Sequence, residues 1–238
     1  MMNINSGGTV DGNRGSTGDV HQRRPAAVDL AVLIVVIATT NIIALRMTAR
    51  YAGPISALCA VALIAVLVRR RGMRWRDLGM RRPSRWIFAQ VPAALVTWLA
   101  VSAAASSIVG RWLPRPGTNA RFGDLADNLP ATLWWMAIGL GTGGFAEETI
   151  FRGYLLNRLE ALLPRGAWGS TAAVILQAFF FGLVHAYNRG LFGLLVIGTV
   201  GAAMGAFYLL FRRNLWPVIL AHGLGNALGF IVDYLDLG

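Results

Sequence analysis

Seven strongly apolar runs, separated by short polar connections, constrain this 238-residue chain more than any other feature. They fall at about 27–45, 55–68, 86–109, 131–150, 167–186, 191–211 and 215–232. A backbone in lipid has to satisfy its own N–H and C=O groups, so runs of this length read as α-helices. The predicted fold class is all-α, a polytopic transmembrane helical bundle of about seven spans, with six to eight as the range. The second run is short for a span. A content of 55% hydrophobic and only 14% charged residues excludes an ordinary soluble domain.

Basic residues number 22 against 11 acidic ones, and every one of them is arginine, so the excess positive charge persists at any physiological pH. The arginines lie between apolar runs instead of forming a patch interleaved with base-stacking aromatics, which excludes nucleic acid as a partner. Their distribution instead reports topology. With a cytoplasmic N-terminus, 16 arginines fall on the inner side and 6 on the outer, the sense of the positive-inside bias. The largest inner group is the loop 69–85, with Arg69, Arg70, Arg71, Arg74, Arg76, Arg81, Arg82 and Arg85. It serves topology first and contact with anionic membrane lipid second. Trp86, Trp112, Trp134, Trp135, Trp168 and Trp216 fall near proposed span ends, as interfacial rings do.

The first 26 residues, rich in Gly, Ser, Asn and Asp, are predicted to be a disordered tail. A short tail is expected at 233–238. Cys59, the single cysteine, is expected to be a small buried apolar residue, and no intrachain disulfide is possible. Gly139 with Gly143, Gly201 with Gly205, and Gly225 with Gly229 have the small-residue spacing that allows helices to approach closely in lipid.

Ionisable groups at membrane depth are costly and mark function. The fourth run ends in Glu147-Glu148-Thr149-Ile150-Phe151-Arg152. On a helix Glu148 and Arg152 share a face as a favourable ion pair, while Glu147, rotated by about 100°, points elsewhere. The fifth run carries Phe181 and, one turn later, His185, whose imidazole the ring would screen. The seventh carries His222 and Asn226, again four apart, with Gly223 and Gly225 leaving room beside them. A carboxylate, two imidazoles and an amide on three helices are the inventory for activating water and stabilising an oxyanion. Buried Glu, Arg and His also suit a transporter, but that reading expects internal repeats, and none is visible.

EExxxR, FxxxH and HxxxN in this order on apolar segments resemble the CPBP family, the CAAX prenyl endopeptidase-like and bacteriocin-processing intramembrane proteases also called the Abi family. The resemblance covers roughly 125–232 and is complete at Glu147, Glu148, Arg152, Phe181, His185, His222 and Asn226. It divides the chain into N-terminal membrane helices at 27–124, where only Leu78-Gly79 is weakly similar, and a catalytic membrane domain at 125–232. It implies an endopeptidase acting on a membrane-associated peptide or protein. Glu147 and His185 would activate water, His222 and Asn226 would hold the oxyanion, and Glu148 and Arg152 would complete the site. In a metal-dependent version Glu147, His185 and His222 hold zinc, a known catalytic ligand set, although there is no HExxH pair. A non-catalytic scaffold or bacteriocin self-immunity protein of the same fold is the alternative. The arginine-only basic composition points to a high-GC bacterium and its cell membrane, where protein prenylation is not expected. Peptide maturation, self-immunity and clipping of a membrane-bound regulator are then the expected roles.

Overall fold

The computed structural model describes residues 14–115 and 122–237, with side chains from residue 24 onward. It is an all-helical bundle with no strand among the described residues. Seven long helical stretches follow in order: α1 Arg14–Met47, α2 Ala52–Arg70, α3 Ile87–Val109, α4 at 129–162, α5 Ala167–Leu183, α6 Ala186–Leu210 and α7 Leu215–Tyr234. Five of these are long and apolar enough to cross a membrane, including α2. Large apolar side chains such as Phe88, Trp168 and Leu210 lie on the outer surface, an arrangement stable against lipid and not against water.

Several expectations are corrected. Helix α1 starts at Arg14, inside the predicted tail, of which residues 1–13 lie outside the described part, as does Arg121. At the other end α7 continues to Tyr234, shortening the tail expected from 233. Cys59 is exposed, because the buried stripe of α2 is Ala52, Ser56, Ala60, Ile64 and Val68, and Cys59 sits off it. Trp86, Trp112, Trp134 and Trp168 are exposed near helix ends, but Trp135 is buried, its ring 5.1 Å from that of Tyr51.

Helix α4 is twelve residues longer than the apolar run at its C-terminal end and is not wound uniformly. Ordinary α-turns at Leu129–Ile138 give way to π-helical turns at Gly139–Glu147 and Thr149–Leu156, and α-turns return at Asn157–Leu162. Asn128 starts it, its side-chain oxygen accepting from the Ala131 N–H. Such wide turns are rare and concentrate at functional sites. Helix α4 is also central, packing on α1, α2, α5, α6 and α7, while α3 closes against α6 and α7.

Polar ties define the two ends of the bundle. At the arginine-rich end, buried Asp29 accepts from Arg71 at 2.7 Å and from the Tyr154 hydroxyl at 3.0 Å, joining α1, α2 and α4. Arg213 pairs with Glu160 at 2.6 Å, and the Leu215 N–H donates to the Gly79 carbonyl at 2.9 Å. Leu78, fully buried, and Gly79, in the left-handed conformation at φ 99°, thus brace the start of α7. At the opposite end Arg50 bonds Asp124 at 2.6 Å and the Asp127 N–H reaches the Tyr234 carbonyl at 3.1 Å.

Candidate active site

The two adjacent glutamates separate as the spacing predicts. Glu148 is fully buried, and its Oε1 accepts from Arg152 Nη1 at 2.9 Å and from His222 Nδ1 at 2.8 Å. Arg152, also fully buried, donates through Nη2 to the Gly201 carbonyl at 3.2 Å, and its guanidinium lies 4.4 Å from the Phe181 ring centroid. Glu147 points into the bundle's cavity, its Oε2 3.8 Å from His185 Nε2 and 4.0 Å from His222 Nε2.

Hydrogen-bond bookkeeping fixes how the imidazoles face Glu147. His185 Nδ1 lies 2.7 Å from the Phe181 carbonyl, which only accepts, so Nδ1 carries the proton. His222 Nδ1 faces the Glu148 carboxylate, which likewise only accepts. When neutral, each ring therefore turns an Nε2 lone pair toward Glu147. Lone pairs facing a carboxylate at 3.8 and 4.0 Å leave a gap that a proton-bearing species such as water can bridge. Phe181, 3% exposed, stands edge-on to His185 with centroids 4.8 Å apart, the screening predicted for it.

Asn226 completes the set from α7. Its Nδ2 donates to the Gly139 carbonyl at 3.3 Å, and a Cβ added at Gly143 would fall 2.2 Å from that nitrogen. Glycine at 143 is what lets Asn226 and His222 lie against α4. Across the same seam a Cβ at Gly144 would meet the Gly223 Cα at 3.0 Å. The predicted glycine pairs fare unevenly. Gly201 and Gly205 face Phe181 and Gln177 closely, and the Trp98 ring covers Gly225, but Gly229 has nothing within 4 Å.

Simple alternation of spans would leave His185 and His222 about 10–15 Å apart in depth. Two features close that gap. Helix α5 has only 17 residues, about 25 Å of rise against a hydrocarbon core of about 30 Å. The α5–α6 connection then folds inward, with α6 kinked at Gly190 (φ 57°, ψ −153°), so that Val184, His185, Tyr187 and Asn188 all line the cavity. The cavity measures about 650 Å3 and is lined by Glu147, His185, His222 and Asn226 together.

Sequence reading missed several residues of the cavity wall and of the bundle's buried polar network. Trp98 on α3 packs 5.5 Å from the His222 ring, so the N-terminal helices build part of the site wall, as do Asn41 and Ser56. Gln177, fully buried, donates to the same Gly201 carbonyl as Arg152, at 2.9 Å. Its signal was present, since Gln177, Phe181 and His185 recur every four residues. Asp29, a buried acid in the first apolar run, was equally visible.

Glu147, His185 and His222, the candidate zinc ligands, stand slightly wider apart than the ligand atoms of a closed metal site. Ligand atoms of a tetrahedral zinc site lie about 3.3 Å apart, closer than the 3.8 and 4.0 Å found around Glu147. Among the described residues no group of three or more His, Cys, Asp or Glu side chains is gathered to hold a metal ion.

Residues 129–228 match the family model described as type II CAAX prenyl endopeptidase Rce1-like, a region that contains all seven motif residues. Neither a curated protein nor a solved structure matches the chain.

Proposed function

We propose that this multi-pass membrane protein, which carries an Rce1-like domain at 129–228, is an endopeptidase that hydrolyses a peptide bond of a membrane-associated peptide or protein. The observation that carries the reading is the convergence of Glu147, His185 and His222 within 4.0 Å on one cavity, backed by the buried Glu148–Arg152 pair.

In this reading a water held between Glu147 Oε2 and His185 Nε2 loses a proton to the carboxylate as its oxygen attacks the peptide carbonyl. The oxyanion that forms accepts hydrogen bonds from the Asn226 amide and from His222. His222 already donates from Nδ1, so donating from Nε2 as well requires both ring protons. Glu148 at 2.8 Å and Glu147 at 4.0 Å flank the ring and balance that charge. Glu147 then returns its proton to the leaving amine. Arg152 offsets Glu148, so two acids face two cations in the buried network.

The positive-inside bias supports an arginine-rich end in the cytoplasm. Asn41, Pro54, Ser102 and Asp233 line the cavity toward the other end, which favours substrate entry from the non-cytoplasmic side. The resemblance and a bacterial membrane favour a peptide precursor or a membrane-anchored regulator over a prenylated protein.

The test compares wild type with Glu147→Ala and His222→Ala in proteoliposomes displaying a library of lipid-proximal peptides. Each variant is expected to lose at least about a hundredfold in cleavage rate. Chelator treatment is expected to leave wild-type cleavage intact. Full cleavage by either variant would remove this mechanism, inactivation by chelation would restore the zinc version, and a wild type that cleaves nothing would favour a scaffold.

A further inference from the structure

A second pocket, of about 390 Å3, lies at the arginine-rich end, away from the candidate active site. It forms where the 3-10 turn Trp75–Leu78 leads into α3 and meets the α6–α7 turn. Its polar lining is Arg81, Arg82, Ser84, Gln90, Arg212 and Asn214, and no carboxylate is among its lining residues. Arg81 Nη1 bonds the Arg212 carbonyl at 3.2 Å, which ties the two loops together. Arg212 and Arg213 are successive non-glycine residues at φ 54° and 59°, a rare backbone for such side chains. This turn commits Arg213 to Glu160 and Asn157 inside the bundle and leaves Arg212 at the pocket.

Three guanidinium groups without an acid partner in the lining, together with a hydroxyl and two amides, match a phosphate-bearing ligand. The apolar remainder of the surroundings decides its source. Trp86, Phe211 and Leu210 line the same pocket, and Trp86, Leu210 and nearby Phe88 are 61%, 73% and 84% exposed. The charged part therefore continues into a surface that faces lipid tails. Inorganic phosphate would use only the charged half. We propose that this pocket binds the headgroup of an anionic phospholipid in the leaflet at the arginine-rich end, with an acyl chain along Leu210 and Phe88. The bound lipid holds the α6–α7 turn from which α7 starts, two turns before His222.

The test is native mass spectrometry of the full chain with phosphatidylglycerol, with phosphatidylcholine and with inorganic phosphate. Wild type is expected to retain phosphatidylglycerol in preference to phosphatidylcholine. The triple variant Arg81→Gln, Arg82→Gln, Arg212→Gln is expected to lose that retention by on the order of a hundredfold. Arg69→Gln with Arg70→Gln, outside the pocket, should keep it and so separates this site from general basicity. If the triple variant does not fold, Arg82→Gln alone is read, with a loss of about fivefold expected. Retention unchanged in the folded variant, or equal losses in the Arg69, Arg70 control, overturns the proposal. So does displacement of phosphatidylglycerol by equimolar inorganic phosphate, which would make this an anion site and not a lipid site.

Discussion

Glu147 and Glu148 are neighbours in the chain and have opposite surroundings. Glu148 is enclosed, with Arg152 and His222 on one of its oxygens, whereas Glu147 is partly exposed to the cavity. Removing a buried partner leaves its mate charged and unpaired, a loss of about 3–5 kcal/mol, while a side chain facing a cavity has little to lose. Glu148→Ala is therefore expected to lower the unfolding midpoint of the purified protein sharply. Glu147→Ala should stay within about 1 kcal/mol of wild type while losing cleavage. Equal midpoints for the two variants, measured by thermal unfolding in one detergent, would contradict this division. The division itself was legible from spacing, because Glu148 and Arg152 are four apart and Glu147 is not in register with them. Which oxygen His222 would choose was not, because that contact spans 74 residues.

At the scale of elements, the contact between α3 and α7 depends on a side chain for which the sequence offers no signal. Trp98 fills the space over Gly225, where an added Cβ would fall 1.0 Å from its ring, and from there it packs on His222. Gly229, one turn on, faces open space. Gly225→Ala is expected to destabilise by about 1–3 kcal/mol through overpacking and to slow cleavage as Trp98 shifts. Gly229→Ala should be neutral or stabilising by up to about 1 kcal/mol, the usual gain of alanine over glycine in a helix. Unfolding midpoints with tryptophan fluorescence as the probe check both, and a Gly225 variant as stable as the Gly229 variant would sink the packing argument. The two glycines have the same spacing signature in sequence, so only the neighbouring helix distinguishes them. The π-wound turns of α4 were likewise hidden, since Gly139–Glu147 reads as an ordinary glycine-rich helix until its neighbours are present.

For the whole molecule, the bundle has one end tied by Asp29, Arg71, Glu160 and Arg213 and another by Arg50 and Asp124, with Asn41, Ser102 and Asp233 lining the cavity toward the latter. The expected orientation can be measured without any substrate. In a Cys59→Ala background, Arg111→Cys should react with a membrane-impermeant maleimide in intact cells, and Arg74→Cys should react only after lysis. The reverse pattern would turn the cavity toward the cytoplasm and leave the proposed hydrolytic chemistry untouched, because the sidedness of the fold and the geometry of the site are separate properties.

Sequence by itself determined the all-helical class, the seven helices to within a few residues at most ends, and the residues Glu147, Glu148, Arg152, His185, His222 and Asn226 as one set. These follow from local rules: apolar length answers to bilayer thickness, and polar groups at membrane depth stand out against an apolar background. Only the tertiary structure decided how that set meets. The short α5, the kink at Gly190 and the inward-folded connection bring His185 to the depth of His222, and glycine at 143 lets α7 press against α4. Each of these depends on what a distant segment places alongside, and no local window of sequence contains that information.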